Sequence, residues 1–353
     1  MSRFLSSNTR ELIPYVPGEQ PKDKVFVKLN TNENPYPPSP LVMKRIRDFD
    51  LRDLRLYPNN EGAIVKQAVS KYYGISADEV FVGNGSDEVL AFIFKAFFDE
   101  TEKIGFPDIT YSFYPVYCAL FNIPFIKVPV RDDFSIDLSQ YPQDLKGIIF
   151  ANPNAPTGLY ITPDKIEELL KSRPDTLVIV DEAYIDFGGE SCVELISRHD
   201  NLIIVQTLSK SRSLAGMRVG FAMGCKELMD GLARVKDSFN SYPLDKIAQI
   251  AAEAAFLDTE YFSETRQKII NTRQWTQEKL SSLGIQVTDS KANFLFVRIP
   301  GISGSEALSR LRQEGILVRH FNSPRICDWL RITIGTQEEM EKLVEKIKKI
   351  MAG

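Results

Sequence analysis

The run Gly147-Ile148-Ile149-Phe150-Ala151 constrains this chain more than any other stretch. It is apolar at every position, so no face of a strand built from it can sit in water. Thr176-Leu177-Val178-Ile179-Val180 repeats the pattern, and Asn201-Leu202-Ile203-Ile204-Val205-Gln206 holds a third short apolar run. Strands covered on both faces occur where helices pack on each side of a parallel sheet. The spacing predicts such helices at 40–48, 61–73, 89–98, 163–171 and 225–238, and one that starts in Thr110-Tyr111-Ser112-Phe113-Tyr114. Further strands are predicted at 80–82, 125–130 and 219–223. Alternation of strand and helix implies a mainly parallel α/β sheet.

The flanks read differently. A short helix ended by prolines is expected within 10–18. Leu29-Asn30-Thr31-Asn32-Glu33-Asn34-Pro35 is polar and turn-rich, and Tyr57-Pro58 resists helix. Ile247, Ile250, Ala251, Ala254 and Ala255 form one apolar helical stripe. A long polar helix over 259–283 is placed to bridge two domains. After it the rhythm changes to strands at 285–288, 293–298, 316–319 and 329–334, with helices at 303–314 and at the end of the chain. That pattern predicts a smaller α+β domain. The expected division is an N-terminal arm at 1–28, a large domain at 29–258 and a small domain at 259–353, with the arm packing on the small domain.

Polar groups gather just past the buried strands. Lys210 follows 201–206, where open α/β sheets bind ligands. Thr207, Ser209 and Arg218 beside it can hold a phosphate, and the lysine amine can form a Schiff base with an aldehyde. An aldehyde and a phosphate in one ligand point to pyridoxal 5'-phosphate. Asp181, at the end of 176–180, suits a protonated pyridine nitrogen, and Tyr184 or an amide such as Asn154 suits the ring oxygen. Gly83-Asn84-Gly85-Ser86-Asp87-Glu88, between a strand and a helix, offers backbone donors to an anion; taken alone, Ser86 or Asp87 is an ordinary helix cap.

Bulk properties exclude other classes. A net charge of -4 leaves no electrostatic footprint for nucleic acid. Cys118, Cys192, Cys225 and Cys327 lack metal or disulfide spacing and suit a reduced, cytoplasmic protein. His199 and His320 are the two histidines and lie far apart in sequence, against a His-based triad or metal site. No signal-peptide core or membrane-length apolar run is present.

Taken together, the motifs 83–88, 152–158, Asp181-Glu182-Ala183-Tyr184, 207–210 and Arg218 resemble those of fold-type I pyridoxal-phosphate aminotransferases. Pro14-Tyr15-Val16-Pro17-Gly18, 29–35, Tyr57-Pro58 and 330–336 resemble the histidinol-phosphate branch of that family. The resemblance implies a seven-stranded sheet and an exchange of amino groups between histidinol phosphate and 2-oxoglutarate. It implies that Lys210 binds the cofactor and shuttles protons, that Asp181 pairs with the pyridinium and that Tyr184 holds the ring oxygen. Tyr111 would stack on the ring. Thr207, Ser209, Arg218 and the backbone at Ser86 and Asp87 would hold the phosphate, joined by Tyr57 from the partner subunit of a homodimer. Arg331, with Arg319 and Tyr15, would clamp the substrate anion. Two positions depart from the pattern. Ala155 replaces an asparagine, leaving the amide contact to Asn154 or to nothing, and Ile109 replaces a proline, expected to alter the turn before Tyr111. The competing readings are an aromatic or broad-range aminotransferase, a threonine-phosphate decarboxylase, or a regulatory module without turnover.

Overall fold

The computed structural model describes residues 2–21 and 25–352; parts of the predicted arm, at 1 and 22–24, and Gly353 of the small domain lie outside the described residues. Thirteen strands occur among them. β1 is Val27–Lys28, β2 Val80–Asn84, β3 Ile104–Pro107, β4 Phe125–Val128, β5 Gly147–Ala151, β6 Leu177–Asp181, β7 Leu202–Thr207 and β8 Val219–Gly224. β9 is Gln286–Val287, β10 Phe294–Arg298, β11 Ile316–Leu317, β12 Arg319–His320 and β13 Trp329–Thr333.

The central sheet has seven strands in the order β2-β8-β7-β6-β5-β3-β4, and β8 alone runs against its neighbours. Alternate residues of the buried strands enter two different cores. Ile148, Phe150, Val178, Val180, Leu202 and Ile204 pack on one face, and Ile149, Ile179, Ile203 and Val205 on the other. This is why those strands carry no polar alternation: each such side chain contributes roughly 1.5–3 kcal/mol by burial, whichever way it points. The register pairs Ala151 with Asp181, Asp181 with Val205, Thr207 with Gly220, and Asn84 with Val219. Four chain segments thus deliver their polar ends to one edge of the sheet.

A second, antiparallel sheet has the order β12-β13-β10-β9. Its core joins Leu295, Val297, Ile332 and Ile334 to Ile269 and Leu280 of the helix Thr259–Ser282, and to Met340, Leu343 and Ile347 of the last helix. Leu29 lies in the same core, and β1 pairs in parallel with β11. The long helix starts at Asp258, whose carboxylate caps the Tyr261 N–H, directly after the helix Lys246–Leu257.

Four local expectations shift. β3 escapes a pattern search because Gly105 and Pro107 make up half of it; a Cβ on Gly105 would press on Leu145. The helix expected to start at Thr110 begins at Tyr114 instead, with Pro115 fixing its first turn. The N-terminal helix is Ser7–Glu11, capped by Ser6, and ends before the prolines. The strand at 316–319 divides into β11 and β12, which pair with different partners. Among the described residues no helix is long and apolar enough to cross a membrane.

Candidate active site

The polar strand ends open into one cleft. It is lined by Ser86, Asp87, Tyr111, Asp181, Tyr184, Thr207, Ser209, Lys210 and Arg218 from the sheet edge, by Tyr15 from the arm, by Asn32 and Glu33 from the segment 29–35, and by Arg319 and Arg331 from the small sheet. Lys210 is half-buried in the turn after β7, with its Nζ 3.4 Å from the Thr31 carbonyl oxygen and 5.9 Å from the centre of the Tyr184 ring. Asp181 is 5% exposed and accepts from Tyr114 Oη at 3.0 Å and from the Ala183 N–H at 3.2 Å. Burial pushes its carboxyl up to about 6. Neighbouring Glu182 is pushed up to about 7 by burial, although Ser191, the Cys192 N–H and Gln206 all donate to it.

One end of the cleft is an anion cradle. The helix Gly85–Phe97 starts there without a side-chain cap, so its first N–H groups remain open. Gly85 has φ +83°, and a Cβ on it would come within 2.5 Å of Arg218 Nη2. A Cβ on Gly220 would collide with the Ser86 N–H. Both glycines therefore let β8, the helix start and the Arg218 guanidinium approach closely, so that backbone donors and the guanidinium converge. Arg218, itself at φ +52°, is held by Asp87 at 3.0 Å, while Thr207 and Ser209 share a hydroxyl contact of 2.9 Å. These groups fit the phosphate of pyridoxal 5'-phosphate, and Asp181, Tyr184 and Lys210 fit its ring nitrogen, ring oxygen and aldehyde.

At the opposite end, Arg331 Nη2 donates to the Asn30 carbonyl at 3.0 Å, while its buried Nε lacks a partner, as does Asn30 Oδ1. The guanidinium lies 5.5 Å from the Phe294 ring centre and 5.6 Å from that of Phe321, and burial lowers its pKa. A half-buried, under-satisfied guanidinium lining a cleft favours an incoming carboxylate or phosphate. Arg319 also lines the cleft, but its two terminal nitrogens donate to Pro17 and Val16 carbonyls at 3.2 and 3.0 Å, so it secures the arm. Tyr15 stands on that arm, 4.9 Å from the Phe113 ring.

Tyr111 reaches the cleft despite Ile109, and its hydroxyl donates to Asp87 at 2.8 Å. Asn154 does not, which corrects its assignment to the cofactor. It is fully buried below the cleft, donates to the Ile109 carbonyl and Thr157, and accepts from Thr110, so its amide is spent on the loop. Ala155 lines the cleft in its place. The amide at the Tyr184 hydroxyl comes instead from Asn32, at 2.9 Å. In the sequence, Asn32 and Tyr114 are marked only by the polar run 29–35 and by the aromatic cluster after Thr110. Tyr57 is 79% exposed, stacked on Tyr242 and outside this cleft. His199 contacts Glu167 and His320 the Cys327 carbonyl, both away from the cleft.

The profile of the family "Aminotransferase class I and II" matches residues 24–347. A histidinol-phosphate aminotransferase of Clostridium acetobutylicum is 52% identical over 352 residues, covering 100% of both chains. One from Pseudomonas putida is 52% identical over 347 residues, covering 98% of this chain and 100% of its own. The crystal structure of histidinol-phosphate aminotransferase from Sinorhizobium meliloti in complex with pyridoxal-5'-phosphate shares the fold, with a TM-score of 0.89 at 24% identity over 99% of each chain. A seven-stranded sheet that gathers a lysine, a buried aspartate and an anion cradle at one edge, in a chain matched to these relatives from end to end, belongs to the class I and II aminotransferases.

Proposed function

We propose that this protein uses pyridoxal 5'-phosphate to transfer an amino group from histidinol phosphate to 2-oxoglutarate, giving imidazole acetol phosphate and L-glutamate, a step of histidine biosynthesis. The substrate rests on the names of the relatives. The observation that carries the chemistry is the half-buried Arg331, whose enclosed Nε lacks a partner, lining the same cleft as Lys210 and Asp181. One substrate ends in a phosphate and the other in carboxylates, and a guanidinium fork matches both.

The cofactor, when bound, supplies an electron sink for the carbanion left by proton removal. Lys210 Nζ would be the acid–base group that removes the proton from the substrate carbon bearing the amine. Asp181, shielded from water and held by Tyr114, keeps the ring nitrogen protonated. Tyr184, oriented by Asn32, donates to the ring oxygen, and Tyr111 covers one ring face. Ser86, Asp87, Thr207, Ser209 and Arg218 hold the phosphate. Arg331 orients the substrate anion, and Arg319 and Tyr15 close the arm over it. A panel of amino donors tests this reading. Histidinol phosphate is expected to exceed phenylalanine and aspartate in kcat/KM by about 100-fold or more, because polar readout discriminates strongly. An equal rate with phenylalanine, or carbon dioxide release from threonine phosphate, rejects it.

We further infer a cytoplasmic homodimer, with the domain boundary at 258/259 and Tyr57 reaching the partner's phosphate site. Leu51, Leu54, Leu56, Tyr57, Phe239 and Tyr242 are exposed, and an apolar group of this size suits an interface. Mixing Lys210→Ala with Tyr57→Phe subunits places both lesions in one site of a heterodimer and none in the other. With each homodimer impaired, activity is expected to recover towards half per heterodimer. No recovery despite proven exchange would return Tyr57 to its own subunit.

A further inference from the structure

Two residues beyond Lys210, a second cation is buried with no role in the chemistry above. Arg212 is 8% exposed. Its guanidinium carbon lies 4.0 Å from the Phe262 ring centre, 4.2 Å from that of Phe256 and 4.7 Å from that of Tyr72. Its Nη1 donates to the Ala255 carbonyl at 2.6 Å. Among the described residues no carboxylate forms an ion pair with it. Three ring faces and one carbonyl therefore compensate a charge that is costly to bury. An apolar side chain would fill the same space at lower cost, so filling space does not account for the arginine.

The placement of the cage does. Tyr72 belongs to the helix Ala63–Tyr73, Phe256 to Lys246–Leu257 and Phe262 to Thr259–Ser282. Phe256 and Phe262 straddle Asp258, where the chain leaves the central sheet's helices and enters the helix carrying the small sheet. On its other side, Arg212 continues directly into the Lys210 turn. Asn34 Nδ2 donates to the Lys210 and Ser211 carbonyls at 3.0 and 3.1 Å, and Ser211 Oγ donates to Asp186 at 2.5 Å. The backbone at Lys210 is thus held between Asn34 and Asp186 on one side and the cage on the other. Phe262, on the first turn of the long helix, therefore touches the same guanidinium whose backbone leads into the Lys210 turn.

We propose that Arg212 is a positioning residue, a planar cation clamped among three helices, which couples the orientation of the helix Thr259–Ser282 to the placement of Lys210. A lysine cannot replace it, since a point charge does not stack on three rings at once. The proposal rests on Lys210 binding the cofactor aldehyde. Peptide mapping of the borohydride-reduced wild-type protein tests that premise separately, so failure of either is recognisable.

The experiment compares holoenzymes carrying Arg212→Lys, Phe262→Leu and both. Each is read for kcat and KM, for the absorbance–pH titration of the Lys210–cofactor linkage, and for melting temperature. A displaced proton carrier slows turnover without weakening the Arg331 clamp. Each single variant is expected to lose about tenfold or more in kcat, with KM within about twofold. The linkage pKa is expected to move by about half a unit or more, in the same direction in both. The double variant is expected to be no worse than the poorer single, because the two act as one unit. Wild-type kcat and titration with only a lowered melting temperature would reduce the cage to packing. An effect confined to Arg212→Lys would reject the link to the helix. Phe262→Leu decides alone if Arg212→Lys does not fold.

Discussion

Replacing Lys210 with alanine is expected to leave a folded protein with turnover reduced by about 10⁴-fold or more, since both its attachment of the cofactor and its proton transfer are lost. The structure shows why the fold survives. The amine is held weakly, 3.4 Å from a carbonyl oxygen and 5.9 Å from the centre of the Tyr184 ring, while Asn34 holds the main chain of the turn. A group so lightly tied can move between bond formation and proton transfer. The cofactor-free variant should therefore melt within a few degrees of cofactor-free wild type. The purified wild-type protein is expected to be yellow and to lose activity on borohydride treatment, with the reduced cofactor found on the Lys210 peptide. A label on another lysine, or no bound cofactor, would remove the basis of the proposed reaction.

Asp181→Ala is expected to cost about 10²–10³-fold in kcat with cofactor saturating, because a fixed charge opposite a ring that gathers electrons acts most strongly in the transition state. The same carboxylate gives a signature in stability. Without cofactor its folded pKa is about 6, above an ordinary aspartate value of about 4. Between those values the folded protein binds more protons than the unfolded chain, so stability falls as pH rises. Glu182, at about 7, extends the same trend. Asp181→Asn should flatten the decline between about pH 4 and 6 and leave the Glu182 part. Binding of a ring whose nitrogen is protonated should flatten it likewise. Melting curves across this range decide the matter; a wild-type slope in cofactor-free Asp181→Asn would show that Asp181 is not the proton-binding group.

Much of the architecture was legible because burial on both faces leaves no ambiguity in sequence. The stretches 147–151, 177–180 and 202–205 have no polar position to mislead, and the groups that follow them sit at the expected edge. The misses share a physical origin. β3 is half glycine and proline, and β11 and β12 are two-residue strands defined by their partners rather than by their own pattern. Asn154 and Asn32 look alike in sequence as buried amides. Only the hydrogen bonds show that Thr110, Thr157 and Ile109 occupy the first, while the second turns towards Tyr184. Arg319 lines the cleft as its strand-end position suggests, and its bonds to the arm carbonyls add a contact that the residue type alone does not reveal.

The parallel pairing of β1 with β11 has a consequence for biosynthesis. Val27 and Ile316 are joined across nearly the full length of the chain, and the Asn32 N–H donates to Thr333 Oγ1 301 residues away. During translation the central sheet is complete long before Ile316 leaves the ribosome. Until then residues 27–32 have no strand to join, and the cleft lacks Arg331. The nascent chain must hold its N-terminal segment in waiting while a folded sheet lies beside it, and such long-range closure is slow. Demand for chaperones should therefore run from completion of the central sheet until Ile316 emerges, and premature termination before Arg331 should yield a chain with a formed sheet but without the Arg331 clamp.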